Sequence, residues 1–360
     1  MTKVLTVIGA RPQFIKASPV SKAFAEASDI EEVLVHTGQH FDENMSAIFF
    51  DEMGIPEPKY NLDIHSLSHA GMTAKMMMGI EEAVNLEKPD AIMVYGDTNS
   101  TLAAALVSSK LHIPLAHVEA GLRSFNMKMP EEINRILTDR VSHLLFCPTE
   151  TAVRNLEVEG FESFETRIVR TGDVMYDASL QFSKMIEPKE RINDLGDIPE
   201  KFVLGTIHRA ENTDDREVLS HIVSEMNALH REIPVVIPMH PRTSQLIDKH
   251  KLQTEFICIE PVGYLDMISL LQGCSLVITD SGGLQKEAYF FDKFCLTIRD
   301  QTEWTELVEY GANELIRPAD GRIKEIALKA LTKTFNVQQG IYGDGNSSQK
   351  IVAEIKKYLN

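Results

Sequence analysis

Short, continuously apolar runs alternating with longer helix-patterned stretches predict an α/β protein built on parallel sheets, and a length of 360 residues predicts two of them. A third observation is that several of the runs end abruptly in small polar and charged clusters, as strands do where an open sheet meets a ligand crevice. In chain order, the first series of runs covers residues 4–8, 32–36, 91–95, 115–118, 144–147 and 167–170. The second covers 202–206, 235–238, 256–259, 276–279 and 295–298. Being apolar without alternation, such runs suit strands covered by helices on both faces. Helical patterns at 101–111, 132–141, 218–232 and 284–290 fall between them. The expected fold is therefore two Rossmann-like, doubly wound domains. The boundary is placed at 181–200, where Pro188, Gly196 and Pro199 punctuate a charged stretch. That gives domains at 1–180 and 181–345, with a terminal helix in 346–360 that can pack on either.

Composition narrows the partners. Lys plus Arg is 36 against 53 Asp plus Glu, a formal charge of −17. A field of that sign repels nucleic acid and anionic membrane surfaces, so neither is expected as a partner. Cys147, Cys258, Cys274 and Cys295 each lie in or beside an apolar run, without CxxC or zinc spacing. They read as buried free thiols, and no metal site is expected. No apolar run approaches the roughly 18 residues of a membrane span. The opening run turns polar and cationic at Arg11 and Lys16, unlike a signal peptide, so the cytoplasm is the expected compartment. Neither GxGxxG nor GxxxxGK[ST] occurs, which disfavours NAD and ATP; no cofactor is expected.

Five polar clusters follow strand candidates: Gly9-Ala10-Arg11-Pro12, Gly96-Asp97-Thr98-Asn99, Glu119-Ala120-Gly121-Leu122-Arg123, His208-Arg209-Ala210-Glu211 and Asp280-Ser281-Gly282-Gly283. The last precedes a helix whose N-terminus offers unpaired N–H groups to a phosphate or pyrophosphate, with Glu287 one turn on to accept from ribose hydroxyls. Asp97, Glu119 and Glu131 are carboxylates after strands or at a helix start, and Arg135 lies at ion-pair spacing from Glu131. Clustered carboxylates can divide acid and base roles, as inversion at a carbon requires. Taken singly, such groups also serve as helix caps or solvated charges. His208 fits a capped core histidine as well as a phosphate donor.

The segments VIGARPQFIK, GDTNSTLA, HVEAGLRS, MPEEINRILTD, IHRAEN, TDSGGLQKEA and YGDGNSSQKI, in that order, resemble the non-hydrolysing UDP-N-acetylglucosamine 2-epimerase family over nearly the whole chain. The resemblance implies the GT-B arrangement of two Rossmann-like domains facing across a cleft, usually in a homodimer. It implies UDP elimination with loss of the C2 proton, a bound 2-acetamidoglucal, and re-addition with protonation on the opposite face. On this likeness Asp97, Glu119 and Glu131 are the acid–base and substrate carboxylates, and His208 stabilises the departing pyrophosphate. Arg11 and Lys16 match the cations of the first loop, and Ser281, Gly282, Gly283 and Glu287 match the UDP-binding turn. Met267 stands where many members carry an aromatic against the uracil. UDP-GlcNAc/UDP-ManNAc interconversion is the family activity. A branch acting on UDP-2,3-diacetamido-2,3-dideoxyglucuronate is the close alternative, because Thr302-Glu303-Trp304-Thr305-Glu306 replaces TERPE and loses a ligand-facing arginine. For that substrate's carboxylate, Arg123, Lys128 and Arg135 are the nearest cations by position. A glycosyltransferase of the same fold, or a UDP-sugar sensor without catalysis, would use the turn without the carboxylates. The family's regulatory site near Gln39-His40 looks altered at Phe41 and Asp42.

Overall fold

The computed structural model describes residues 1–39, 54–332 and 340–360. It divides into two compact units, Met1–Leu180 with Gly340–Asn360, and Gln181–Gln339. The first carries seven strands: β1 (Thr2–Ile8), β2 (Ile30–His36), β3 (Tyr60–Asn61), β4 (Ala91–Tyr95), β5 (Leu115–Val118), β6 (Leu144–Cys147) and β7 (Arg167–Arg170). All their pairings are parallel, in the order β3-β2-β1-β4-β5-β6-β7. The chain runs outward from β1 to β3 and then returns to the other side of β1, so the strand order reverses between β1 and β4. The second unit repeats the plan with β8 (Val203–Thr206), β9 (Val235–Pro238), β10 (Ile257–Ile259), β11 (Leu276–Thr279), β12 (Cys295–Thr297) and β13 (Asn313–Leu315). Their order, β10-β9-β8-β11-β12-β13, reverses between β8 and β11. Two doubly wound α/β sheets are thus present, and in such sheets the switch point is where ligands bind.

The continuous apolar runs have a direct physical explanation in the second unit. Val203, Val235, Ile237, Leu276 and Ile278 enter one buried cluster, with Leu219, Ile222 and Met226 of the helix Arg216–His230. Their neighbours Leu204, Val236 and Val277 enter another, on the opposite face. Successive side chains of a strand point to opposite faces, and both faces here are covered, so every position is apolar. In the first unit Leu5, Val7, Ile92 and Val94 pack with Met76, Ile80 and Val84 of the helix His69–Glu87.

Strands β3 and β13 lack an apolar run. They are short edge strands held by backbone pairing to β2 and β12. Helices start earlier than their apolar periodicity, at Asn99, Pro130, Arg216 and Gly282, because a first turn is fixed by caps rather than by the core. Thr98 and Asp215 accept from backbone N–H groups of the turns they cap. Residues 340–360 pack with the first unit, where Asp177 accepts from Ser347 N at 3.1 Å, Ser348 N at 2.7 Å and Ser348 Oγ at 2.8 Å. A buried carboxylate from elsewhere in the unit therefore caps the last helix, Ser347–Leu359. Cys147, Cys274 and Cys295 are buried free thiols, whereas Cys258 is exposed because it lies on the edge strand β10. Among the described residues no helix is long and apolar enough to cross a membrane.

Candidate functional site

In the first unit, three polar clusters sit at the carboxyl ends of β1, β4 and β5, neighbours across the strand-order switch. Gln13 ties two of them together. Its Oε1 accepts from Gly9 N at 2.8 Å and Ala10 N at 3.0 Å, and its Nε2 donates to Tyr95 O at 2.8 Å and Thr101 Oγ1 at 3.0 Å. All of this amide's polar valence is used, which suits a buried positioning group. Lys16 lies in the helix Arg11–Glu26, not in a loop, and its ammonium is paired with Glu119. Gly96, at φ 61°, makes room for that pair: a Cβ there would stand 3.2 Å from both Lys16 Nζ and Glu119 Oε2. Arg11 opens the same helix, and its side chain lies outside the described part of the structure.

Asp97 receives Arg135, with Nη2 at 2.7 Å and Nε at 2.9 Å from Oδ2. The expected partner of Arg135 was Glu131, but the structure gives it Glu132 at 2.7 Å. Glu131 is exposed, whereas Glu132 is buried and also accepts from Ser124 N and Phe125 N. The i,i+3 partner on the buried face has displaced the i,i+4 one. Asn134 adds a bond from Nδ2 to Asp97 O at 2.8 Å. Glu119 is buried with φ 72°, a left-handed conformation that costs a residue with a Cβ about 1–3 kcal/mol. Its N–H and that of Ala120 both donate to Phe146 O at 3.1 Å, which holds the turn in place.

In the second unit the corresponding clusters follow β8 and β11. Asp280 is fully buried and does not face a ligand as an anion. It accepts from His208 N at 3.0 Å, Arg209 N at 3.0 Å and Asn212 Nδ2 at 3.0 Å, and pairs with His208 Nδ1 at 2.9 Å. Burial alone would raise its pKa, but the histidine and the N–H donors outweigh it and hold the carboxyl below the usual aspartate range. His208 is 40% exposed, with Nδ1 held from behind. Ser281 caps the helix Gly282–Phe290 through Leu284 N at 3.4 Å. The glycines have separate reasons. A Cβ at Gly282 would collide with Glu303 Oε1, while the space around Gly283 is open.

Trp304 is buried behind this turn and donates Nε1–H to Gly282 O at 3.0 Å, with Lys286 Nζ 3.9 Å from its ring centroid. Glu303 pairs with buried Arg299 at 3.0 Å. Glu287 is buried in the same helix. Met267 is partly buried against the cluster containing Phe202, Leu204 and Leu270. Gln39 Oε1 accepts from Ser100 Oγ at 2.9 Å, while His40, Phe41 and Asp42 lie outside the described residues. Sequence reasoning missed Gln13, Glu132, Asn134 and Asp139. Each is a polar residue at a core-facing helical position, and that is the signal that could have found them.

Two doubly wound parallel sheets, each with buried polar networks gathered at its strand-order switch, define a chain of the nucleotide-binding α/β class. The comparisons sharpen that class. The family model described as UDP-N-acetylglucosamine 2-epimerase matches residues 22–356. A relative from Pseudomonas aeruginosa, UDP-2,3-diacetamido-2,3-dideoxy-D-glucuronate 2-epimerase, is 55% identical over 357 residues, covering 99% of each chain. The UDP-N-acetylglucosamine 2-epimerase of Methanocaldococcus jannaschii is 43% identical, over 97% of this chain and 98% of its own. The crystal structure of the M. jannaschii UDP-GlcNAc 2-epimerase in complex with UDP-GlcNAc and UDP matches with a TM-score of 0.89 at 41% identity, covering 99% of this chain and 100% of that one. The chain belongs to the UDP-N-acetylglucosamine 2-epimerase family: it is a non-hydrolysing UDP-sugar 2-epimerase, an isomerase.

Proposed function

We propose that the substrate is UDP-2,3-diacetamido-2,3-dideoxyglucuronate, inverted at C2, rather than UDP-GlcNAc. The observation that carries this reading is the 55% identity, end to end, to a relative named for that activity, against 48% to one named as a UDP-N-acetylglucosamine 2-epimerase homolog and 43% to one named for UDP-GlcNAc. Trp304 supports it, since it stands where an arginine is expected for the UDP-GlcNAc branch and is buried behind the Ser281–Gly283 turn.

In this reading UDP leaves as the C2 proton is removed, a glycal is held, and UDP returns with protonation from the other face. Asp97, Glu119 and Glu131 handle protons and the sugar. Lys16 and Arg135 orient two of those carboxylates, and Arg11 is assigned to the substrate as a further cation on the family likeness. His208, aimed by Asp280, donates to the diphosphate as charge develops on it. The N–H groups of Gly282 and Gly283 and the hydroxyl of Ser281 receive the diphosphate, because Ser281 N already donates to Thr279 Oγ1 at 2.9 Å; Glu287 takes the ribose and Met267 the uracil. The uronate carboxylate needs a cation as well. Arg123 is excluded because Asp139 and Glu159 occupy its guanidinium at 2.7 Å each. Lys128 is exposed and makes no ion pair among the described residues, so it is assigned that role. Comparing kcat/KM for the two UDP-sugars tests the reading; efficient turnover of UDP-GlcNAc would reject the substrate while leaving the family intact.

A further inference from the structure

His117 lies on β5, fully buried, two residues before Glu119. Its Nδ1 is 2.6 Å from Asp139 Oδ1, and its Nε2 is 2.7 Å from Gly96 O. Gly96 O is a carbonyl and can only accept, so Nε2 must carry hydrogen. The other oxygen of Asp139 accepts from Gly121 N at 3.1 Å and Arg123 Nη1 at 2.7 Å, the pattern of an ionised carboxylate. Nδ1 therefore donates too. The set closes electrically, because Arg123 is held on its far edge by Glu159 at 2.7 and 2.9 Å. Two cations, His117 and Arg123, face two carboxylates, Asp139 and Glu159, as buried charge requires.

The placement gives this quartet a use beyond packing. Gly96 immediately precedes Asp97, and Gly121 closes the turn that begins at Glu119. The ring thus bonds directly to the β4 turn and, through Asp139, to the β5 turn. We propose that His117 is a doubly protonated positioning residue that locks the Asp97 and Glu119 turns to each other. Neither turn is regular structure, and Glu119 is held at positive φ, so the lock sets where both carboxylates point. The inference rests on the reading that Asp97 and Glu119 handle the C2 proton.

Two variants separate positioning from stability. His117→Asn keeps a donor where Nδ1 lies and loses the bond to Gly96; His117→Gln keeps a donor near Nε2 and loses the bond to Asp139. His117→Asn should lower kcat about a hundredfold, the scale of a misplaced reacting group, with KM and UDP affinity within about threefold. His117→Gln should recover about tenfold of that loss while being no more heat-stable than His117→Asn. In the full-length wild-type protein, ¹⁵N-histidine NMR at neutral pH should show both ring nitrogens protonated, as their two acceptors require. The signals are assigned by their loss in His117→Gln. A ring with one bare nitrogen, or kcat that simply follows thermal stability across the two variants, overturns the proposal. Near-wild-type turnover of Asp97→Asn would overturn it through the reading beneath it, and the NMR result, which needs no turnover, tells that failure from the other.

Discussion

At the β1/β4 switch, Asp97 and Glu119 are each held by a flexible cation, Arg135 and Lys16. At the β8/β11 switch, the buried carboxylate of Asp280 is surrounded by backbone N–H groups, an amide and a histidine. The two sheets share a topology, so the contrast comes from what the loops bring. Long cationic side chains orient a carboxylate yet can be repositioned. Backbone donors fix theirs: Asp280 ties down His208 N, Arg209 N and Asn212 Nδ2, and pairs with His208 Nδ1 as well. The first arrangement suits groups whose protonation changes during turnover, the second a scaffold that receives an anion without rearranging.

The largest expected effect breaks the first arrangement. Asp97→Asn should lower turnover by about 10²–10⁴-fold, the range for acid–base groups, with UDP affinity nearly unchanged. Turnover assays with a UDP titration check this, and the same loss is expected for Glu131→Gln. Activity near wild type in both variants would remove the acid–base assignment.

Breaking the second arrangement should read out as stability. Asp280→Ala strands several buried donors and should cost about 3–5 kcal/mol by denaturant unfolding at neutral pH. The folded-state pKa of Asp280 is depressed, so its contribution is present above the usual aspartate range and is lost as pH falls through the folded value. The gap between wild type and variant should therefore narrow in acid; a gap constant with pH would contradict the assignment. Trp304→Phe loses the bond to Gly282 O together with part of a buried ring and should weaken UDP binding about three- to tenfold with little change in kcat. Trp304 is the single tryptophan, so its fluorescence in the wild type should report UDP binding directly. Smallest of all, Lys128→Met should raise KM for the uronate a few-fold and leave UDP-GlcNAc unaffected, as befits one exposed charge. An unchanged KM would move the carboxylate contact elsewhere.

Most of the strand framework could be read from the sequence because burial on both faces writes itself as an unbroken apolar run, as at 91–95, 115–118 and 276–279. The edge strands β3 and β13 escaped, since backbone pairing leaves no mark on side-chain pattern. The polar clusters after β1, β4, β5, β8 and β11 were visible for the same reason as the runs they terminate. Their internal wiring was not. Spacing allowed Arg135 to reach Glu131 or Glu132, and only the buried face of the helix Pro130–Val141 decides for Glu132. The positive φ of Glu119 and the close approach of the Glu303 carboxylate to Gly282 depend on contacts between residues distant in the chain.

The most direct test of the account runs the reaction in D₂O with UDP-2,3-diacetamido-2,3-dideoxyglucuronate and, in parallel, UDP-GlcNAc, reading C2 by proton NMR. The expected result is an inverted C2 bearing solvent deuterium in the uronate and almost none in UDP-GlcNAc. Retention of the original C2 hydrogen under full turnover, or equal turnover of UDP-GlcNAc, would contradict it.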